Sequence, residues 1–188
     1  MAVDGPGQDL RARLEAGMDP LDVGLRDGRR ATVRPICEED ADKLQDAIRA
    51  LSVQSSYYRF FSPLPKLPAK MLQQATRPDS EREVQLVAVI GEGADEKIIA
   101  GARYAAIPDT RDCEFAVAVV DAWHGLGLAR ALLATLMERA RAHGFERMEG
   151  YVLATNTRML AFARSLGFTE MASPEGPTVR MVRRDLRQ

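Results

Sequence analysis

The sequence predicts an α+β domain: a largely antiparallel sheet with one parallel junction near its middle and helices on both faces. Two observations predict it. Three apolar runs, Val84–Ile90, Ile98–Ile107 and Cys113–Val120, are separated only by the turn segments Gly91–Asp95 and Pro108–Arg111. Those connections are too short for crossover helices, so an antiparallel meander is the economical arrangement. The period then changes, with a long helix over Gly127–His143 followed by a strand at Met148–Leu153. Strand, helix, strand in that order implies a right-handed parallel crossover.

The remaining elements follow from local signals. Residues 1–24 read as an N-terminal extension, with Gly/Pro-rich MAVDGPGQ leading into a short helix, DLRARLEAGMD, that ends at Gly17. A single domain then occupies 25–188. Asp27-Gly28 is a turn signal ahead of a first strand at Ala31–Ile36. Glu38-Glu-Asp-Ala opens a helix whose acidic first turn complements the helix dipole, and Leu44, Ile48 and Leu51 follow at helical spacing. Ser55–Phe61 is a second, aromatic helix closed by Ser62-Pro-Leu-Pro65, and Pro68–Thr76 a third with proline at its start. The long helix carries Leu128, Ala131, Leu132, Thr135, Leu136 and Ala140 on one side and stops at Gly144. Asn156–Leu166 is the last helix, closed by Gly167, and Val179–Val182 the last strand.

Composition narrows the function classes. With 188 residues and 20.7 kDa the chain holds one compact domain. Its 26 Lys+Arg and 27 Asp+Glu leave a formal net charge of −1, so the basic field of a nucleic-acid binder is absent. Two cysteines, Cys37 and Cys113, and two histidines, His124 and His143, form no disulfide framework and no metal-ligand spacing. No apolar run approaches the ~20 residues needed to cross a bilayer. The start, MAVDGPGQDL, lacks the basic and apolar regions of a secretory signal. The expectation is a cytoplasmic protein, monomer or homodimer, with no metal, membrane or nucleic-acid partner.

The most informative segment is Val119-Val-Asp-Ala-Trp-His-Gly-Leu-Gly-Leu-Ala129. A strand enters a loop with two glycines just where the long helix begins. Such a loop aims several backbone N–H groups and the positive helix end at one spot, where a pyrophosphate can sit. The spacing is neither GxxxxGK[ST] nor GxGxxG, which sets aside nucleoside triphosphates and dinucleotides. Two glycines before a helix can also be a plain turn.

His124-Gly-Leu-Gly-Leu-Ala129 resembles the Q/R-x-x-G-x-G/A signature of GNAT-type N-acetyltransferases, with His124 at the usual Gln/Arg position. NTRMLAFARSLGF, residues 156–168, resembles the family's second signature. The three middle strands also have the family's order, and the likeness covers about residues 31–184. It implies acetyl-CoA bound where two parallel strands splay apart. His124, Gly125, Leu126, Gly127, Leu128 and Ala129 would hold the pyrophosphate, with Arg130 and Arg158 as helpers. The main chain of Val117, Ala118 and Val119 would pair with the pantetheine arm, and the Val119 amide would face the thioester carbonyl. A preorganised donor to a developing oxyanion is typically worth ~3 kcal/mol. Asn156 would bond the coenzyme arm, a role compatible with capping its helix.

A lysine or alkylamine is protonated at pH 7 and must lose its proton before attacking. Glu114, the one charge in Glu114-Phe-Ala-Val-Ala-Val119, is the candidate base, because a carboxylate at the edge of an apolar surface has its pKa raised. Its alternative is a solvated strand-end charge. Cys113 reads as a structural thiol rather than a nucleophile, since no partner accompanies it. Many family members carry a Tyr that reprotonates the departing thiolate; its slot here is Ala163. Tyr57, Tyr58 and Tyr104 are the remaining phenols nearby. The segments Ser52–Ser62, Cys113–Val119 and Met159–Arg164 are similar to the bacterial protein lysine acetyltransferases that act on acyl-CoA synthetases. That likeness implies a protein lysine as acceptor, with Tyr57, Tyr58 and Arg59 lining its groove. Alternatives are a small-molecule amine N-acetyltransferase and a non-catalytic acyl-CoA sensor.

Overall fold

Continuous apolar runs such as Leu86-Val-Ala-Val89 mark strands covered on both faces, because alternate side chains point opposite ways. That is what the structure shows. A computed structural model describes residues 18–79 and 82–187; the helix expected before Gly17 lies outside the described residues. Eight strands form one sheet: β1 (Leu21–Gly24), β2 (Arg30–Pro35), β3 (Glu83–Ile90), β4 (Lys97–Ala106), β5 (Asp112–Val119), β6 (Arg147–Leu153), β7 (Thr169–Ala172) and β8 (Val179–Asp185). Their order is β1-β2-β3-β4-β5-β6-β8-β7. Every neighbouring pair is antiparallel except β5 and β6, so the expected mixed α+β sheet with one parallel junction is present.

Helices α1 (Ala41–Arg49), α2 (Val53–Phe60) and α3 (Ala69–Thr76) lie on one face, and α4 (Leu128–Ala142) and α5 (Thr157–Ser165) on the other. Leu86 and Ala88 pack toward α4, while Val87 and Val89 pack toward α1 and α3. All four are nearly or fully buried, at 0 to 3% exposure. α2 begins two residues before the sequence suggested, because Ser52 Oγ accepts the Ser55 N–H at 3.1 Å and caps it.

Two strands escaped the sequence reading. Leu21–Gly24, read as part of the extension, is the edge strand β1, in register with β2 from Leu21↔Val33 to Gly24↔Arg30. β7 is likewise four residues long and pairs with β8. Four residues are too few to display a period, so these strands exist only through their partners. β8 also runs on to Asp185, since β6 offers seven residues for it to pair with.

The parallel junction is brief. β5 and β6 are in register only from Asp112↔Arg147 to Glu114↔Glu149, and then they part. Meanwhile β5 keeps its full pairing with β4 as far as Ala100↔Val119. One side of β5 is therefore left open.

Candidate active site

Peptide groups along a strand alternate between its two neighbours, so the open side of β5 can be assigned residue by residue. The Val120 N–H donates to Ile99 O at 2.9 Å, and Asp112 O accepts the Ile107 N–H at 2.9 Å. Even-numbered residues thus face β4. Val117 and Val119 turn their peptide groups to the opening, whereas Ala118 turns its own to β4 and lines the cleft with its methyl group. The Val119 carbonyl accepts a hydrogen bond from His124 Nε2 at 2.8 Å. A carbonyl cannot donate, so Nε2 carries the proton and Nδ1 accepts from Arg158 Nη1 at 3.5 Å. The ring is thereby turned back onto the end of β5.

Past β5 the chain makes a short 3₁₀ turn at Asp121–Trp123 and enters the glycine loop. Gly125 and Gly127 adopt φ of +78° and +99°, values that a side chain rarely tolerates. No side chain caps α4, and the N–H groups from Gly125 to Arg130 donate to no carbonyl among the described residues. The carbonyls of this loop are instead held from behind by the turn between β1 and β2. Arg26 N–H donates to Leu126 O at 3.2 Å, Arg26 Nη1 reaches Gly125 O at 3.4 Å, and the Arg29 guanidinium lies 3.8 Å from the Trp123 ring centroid. With the carbonyls pinned outward, the N–H groups converge on one point at a positive helix end. Such an arrangement suits an anion. Arg130, held by Ser165 Oγ at 2.9 Å, and Arg158 flank it. Leu126 turns into the core. Gly127→Ala is expected to cost about 1–2 kcal/mol through its left-handed backbone alone, since a Cβ there would meet nothing within 4 Å; thermal unfolding checks it.

The opening and this loop belong to one cleft of about 1060 Å³. Helix α2 crosses it as a strap. On the β5 side the Asp121 carboxylate accepts from Ser52 N–H, Ser52 Oγ and Ser55 Oγ at 3.0, 2.8 and 3.0 Å. On the far side Tyr58 Oη donates to Thr155 O at 3.4 Å. Tyr58 and Arg59 consequently line the cleft, while Tyr57 sits on the outer helix face, 42% exposed. Asn156 lines the cleft too, and its Oδ1 caps α5 by accepting the Met159 N–H at 3.1 Å.

Glu114 is the last residue of β5 paired with β6, beside Glu149. Glu149 is taken: Arg183 donates to it at 2.8 and 3.0 Å, and Tyr151 Oη at 3.4 Å. Glu114 opens onto the cleft with no ion pair or hydrogen bond among the described residues. The protein wall that displaces water raises its pKa, the Glu149 charge raises it further, and Arg103 and Arg59 oppose both. Arg59 makes no ion pair either; loss of water around its guanidinium, then repulsion by Arg103, brings it down to about 10 despite Glu114.

The phenols sort themselves. Ala163 is fully buried on the inner face of α5. Tyr104 is also fully buried and meets His143 Nδ1 at 2.7 Å, away from the cleft. Tyr58 and Tyr151 line the cleft, and Tyr151 was not legible because only the β5–β6 register brings it near Glu114. Arg26 and Trp123 were missed for a similar reason. Cys113 is buried, its thiol pushed up to about 12 by burial, and it is no nucleophile. Among the described residues no group of three or more metal-ligating side chains exists, and no helix is long and apolar enough to cross a membrane.

The structure thus combines a mixed sheet opened beside a glycine loop with a free carboxylate on the strand that borders the opening. Residues 49–168 match the Acetyltransferase (GNAT) family, and the chain belongs to that family of acetyltransferases. It is 31% identical over 154 residues to Acetyltransferase PA5475 of Pseudomonas aeruginosa, covering 82% of this chain and 83% of that one. The GNAT domain of S. lividans PAT superposes with a TM-score of 0.81 at 36% identity, over 88% of this chain and 96% of that one. Acetyltransferase Pat of Mycolicibacterium smegmatis is 28% identical over 84% of this chain, which spans 46% of its length.

Proposed function

We propose that the enzyme transfers an acetyl group from acetyl-CoA to a lysine side chain of another protein, in the cytoplasm, by direct attack within a ternary complex. The observation that carries this reading is Glu114, an unpaired carboxylate beside the free backbone edge of Val117 and Val119. When bound, acetyl-CoA supplies an activated acyl group. The loop amides from Gly125 to Arg130, with Arg130 and Arg158, hold its phosphates, and the Val117 and Val119 N–H groups and Asn156 Nδ2 hold its arm. The Val119 N–H is placed to polarise the thioester carbonyl.

Glu114 takes one proton from the incoming ammonium, the neutral amine attacks the thioester carbon, the C–S bond breaks, and the departing thiolate takes a proton from solvent as the new amide nitrogen releases its second one. Cys113 is buried, which supports direct attack over a covalent intermediate. A protein acceptor is supported by the likeness to proteins named Pat or PAT, and an acyl-CoA synthetase is the candidate partner. The test incubates the enzyme and labelled acetyl-CoA with a lysate, then with an amine panel. Label in protein, lost when the target lysines are replaced, is the expected result; label only in small amines overturns the protein acceptor.

A further inference from the structure

A second cavity, of about 430 Å³, lies between the sheet and helices α1 and α3. That volume is within the range of about 300–1,000 Å³ typical of small-ligand pockets. It exists because the sheet contributes little bulk here. Gly101 pairs with Ala118, and Ala116 is the next residue of β5 on the same face. Over that bare patch stand Ile48 and Leu51 at the end of α1 and Met71 and Ala75 of α3, which make an apolar chamber. Charged and polar groups gather elsewhere along it, among them Arg77, Glu83, Gln85 and Arg103.

This cavity and the cleft share five wall residues: Leu51, Arg59, Phe60, Ala116 and Ala118. Two of them, Arg59 and Phe60, are long side chains from adjacent positions of α2, with the Arg59 guanidinium 4.8 Å from the Phe60 ring centroid. The other sheet residues in the shared wall are alanines, on the strand that borders the acyl end of the cleft. A partition of three side chains, Leu51, Arg59 and Phe60, therefore separates the acyl end from an apolar space.

We propose that this cavity is an acyl-chain pocket for straight-chain acyl groups of four to eight carbons, and that Arg59 closes it and so restricts the donor to acetyl. The inference rests on the donor-binding reading above. An apolar chain cannot take the place of a guanidinium unless that charge finds water or a partner, and among the described residues Arg59 rests on the Phe60 ring and forms no ion pair that draws it away. A short acetyl group stops before the partition. A longer chain meets it. With the partition shortened, each methylene that enters the chamber leaves water, which is worth roughly a fourfold gain in affinity.

The experiment measures binding of acetyl-CoA, butyryl-CoA and octanoyl-CoA by calorimetry, without any acceptor. The wild-type protein is expected to bind acetyl-CoA more tightly than octanoyl-CoA. Arg59→Ala is expected to shift the octanoyl-to-acetyl affinity ratio by at least about 10-fold toward octanoyl, the worth of two or three buried methylenes. Adding Ala75→Phe, which fills the chamber from α3, is expected to reverse that shift without altering acetyl-CoA binding by the Arg59→Ala protein. A ratio that moves less than threefold, or a shift that survives Ala75→Phe, overturns the pocket. Failure of the wild-type protein to bind acetyl-CoA overturns the donor reading and the pocket with it, whereas acetyl-CoA binding with an unmoved ratio overturns the pocket alone.

Discussion

Glu114→Gln is expected to lower kcat/KM for the amine about 10²- to 10⁴-fold while leaving acetyl-CoA affinity within twofold. Glutamine keeps the size of the side chain and removes the proton acceptor. A base must be ionised to act, so activity falls as pH drops through the pKa of Glu114. That pKa lies above its ordinary 4.5, because the cleft wall removes water and Glu149 repels the second charge. The acid limb of the pH–rate profile should therefore lie above the ordinary glutamate value and vanish in the glutamine variant. Glu149→Gln removes one of the raising influences and should move the limb down. Unchanged turnover in Glu114→Gln, or an acid limb that ignores both substitutions, would remove Glu114 as the base.

Asp40→Ala is expected to cost about 2–4 kcal/mol of stability, because it leaves the buried Arg34 with Glu96 as its one remaining carboxylate partner among the described residues. Arg34 is 2% exposed and points both terminal nitrogens at Asp40, at 2.6 and 2.8 Å. It also donates to Glu96 at 2.6 Å, and Lys43 meets the same Glu96 oxygen at 2.8 Å. This cluster ties β2 and the start of β4 to α1, the helix that walls the second cavity. Burial pushes the Asp40 and Glu96 carboxyls up, but Arg34, with the Cys37 N–H at Asp40 and Lys43 at Glu96, more than reverses that and holds both low. A carboxyl with a lowered folded-state pKa contributes its full stability above the unfolded value and loses it as pH falls through the folded one. The urea midpoint should thus hold from neutrality down to about pH 5 and drop below it. Asp40→Ala should start lower and show a shallower acid decline. A loss under about 1 kcal/mol would show that Arg34 finds water or another partner.

Much of this was legible before any coordinates. The meander over Val84–Val120 followed from connections too short for helices, and the parallel junction from a helix between two strands. The glycine loop was legible because its chemistry is local: two positive-φ residues and a helix end lie within six positions. What the sequence concealed depends on register. Tyr151 and Glu149 stand near Glu114 only through three paired residues of β5 and β6. Arg26 holds the loop carbonyls from 99 residues away. Tyr57, Tyr58 and Arg59 looked equivalent along α2, and the helix rotation, pinned by Asp121 and Thr155, turned only the latter two into the cleft.

By itself, then, the sequence determined the kind of sheet and the glycine loop at the start of the long helix, because both are encoded through backbone sterics and hydrophobic period along neighbouring stretches of chain. Only the tertiary structure decided which peptide groups of β5 are free, since that requires knowing where β6 lets go. It also decided that His124 spends its ring on the Val119 carbonyl, and that Arg59 and Phe60 stand between two cavities. Those facts come from distant segments meeting in one register, and a linear chain carries no local signal of them.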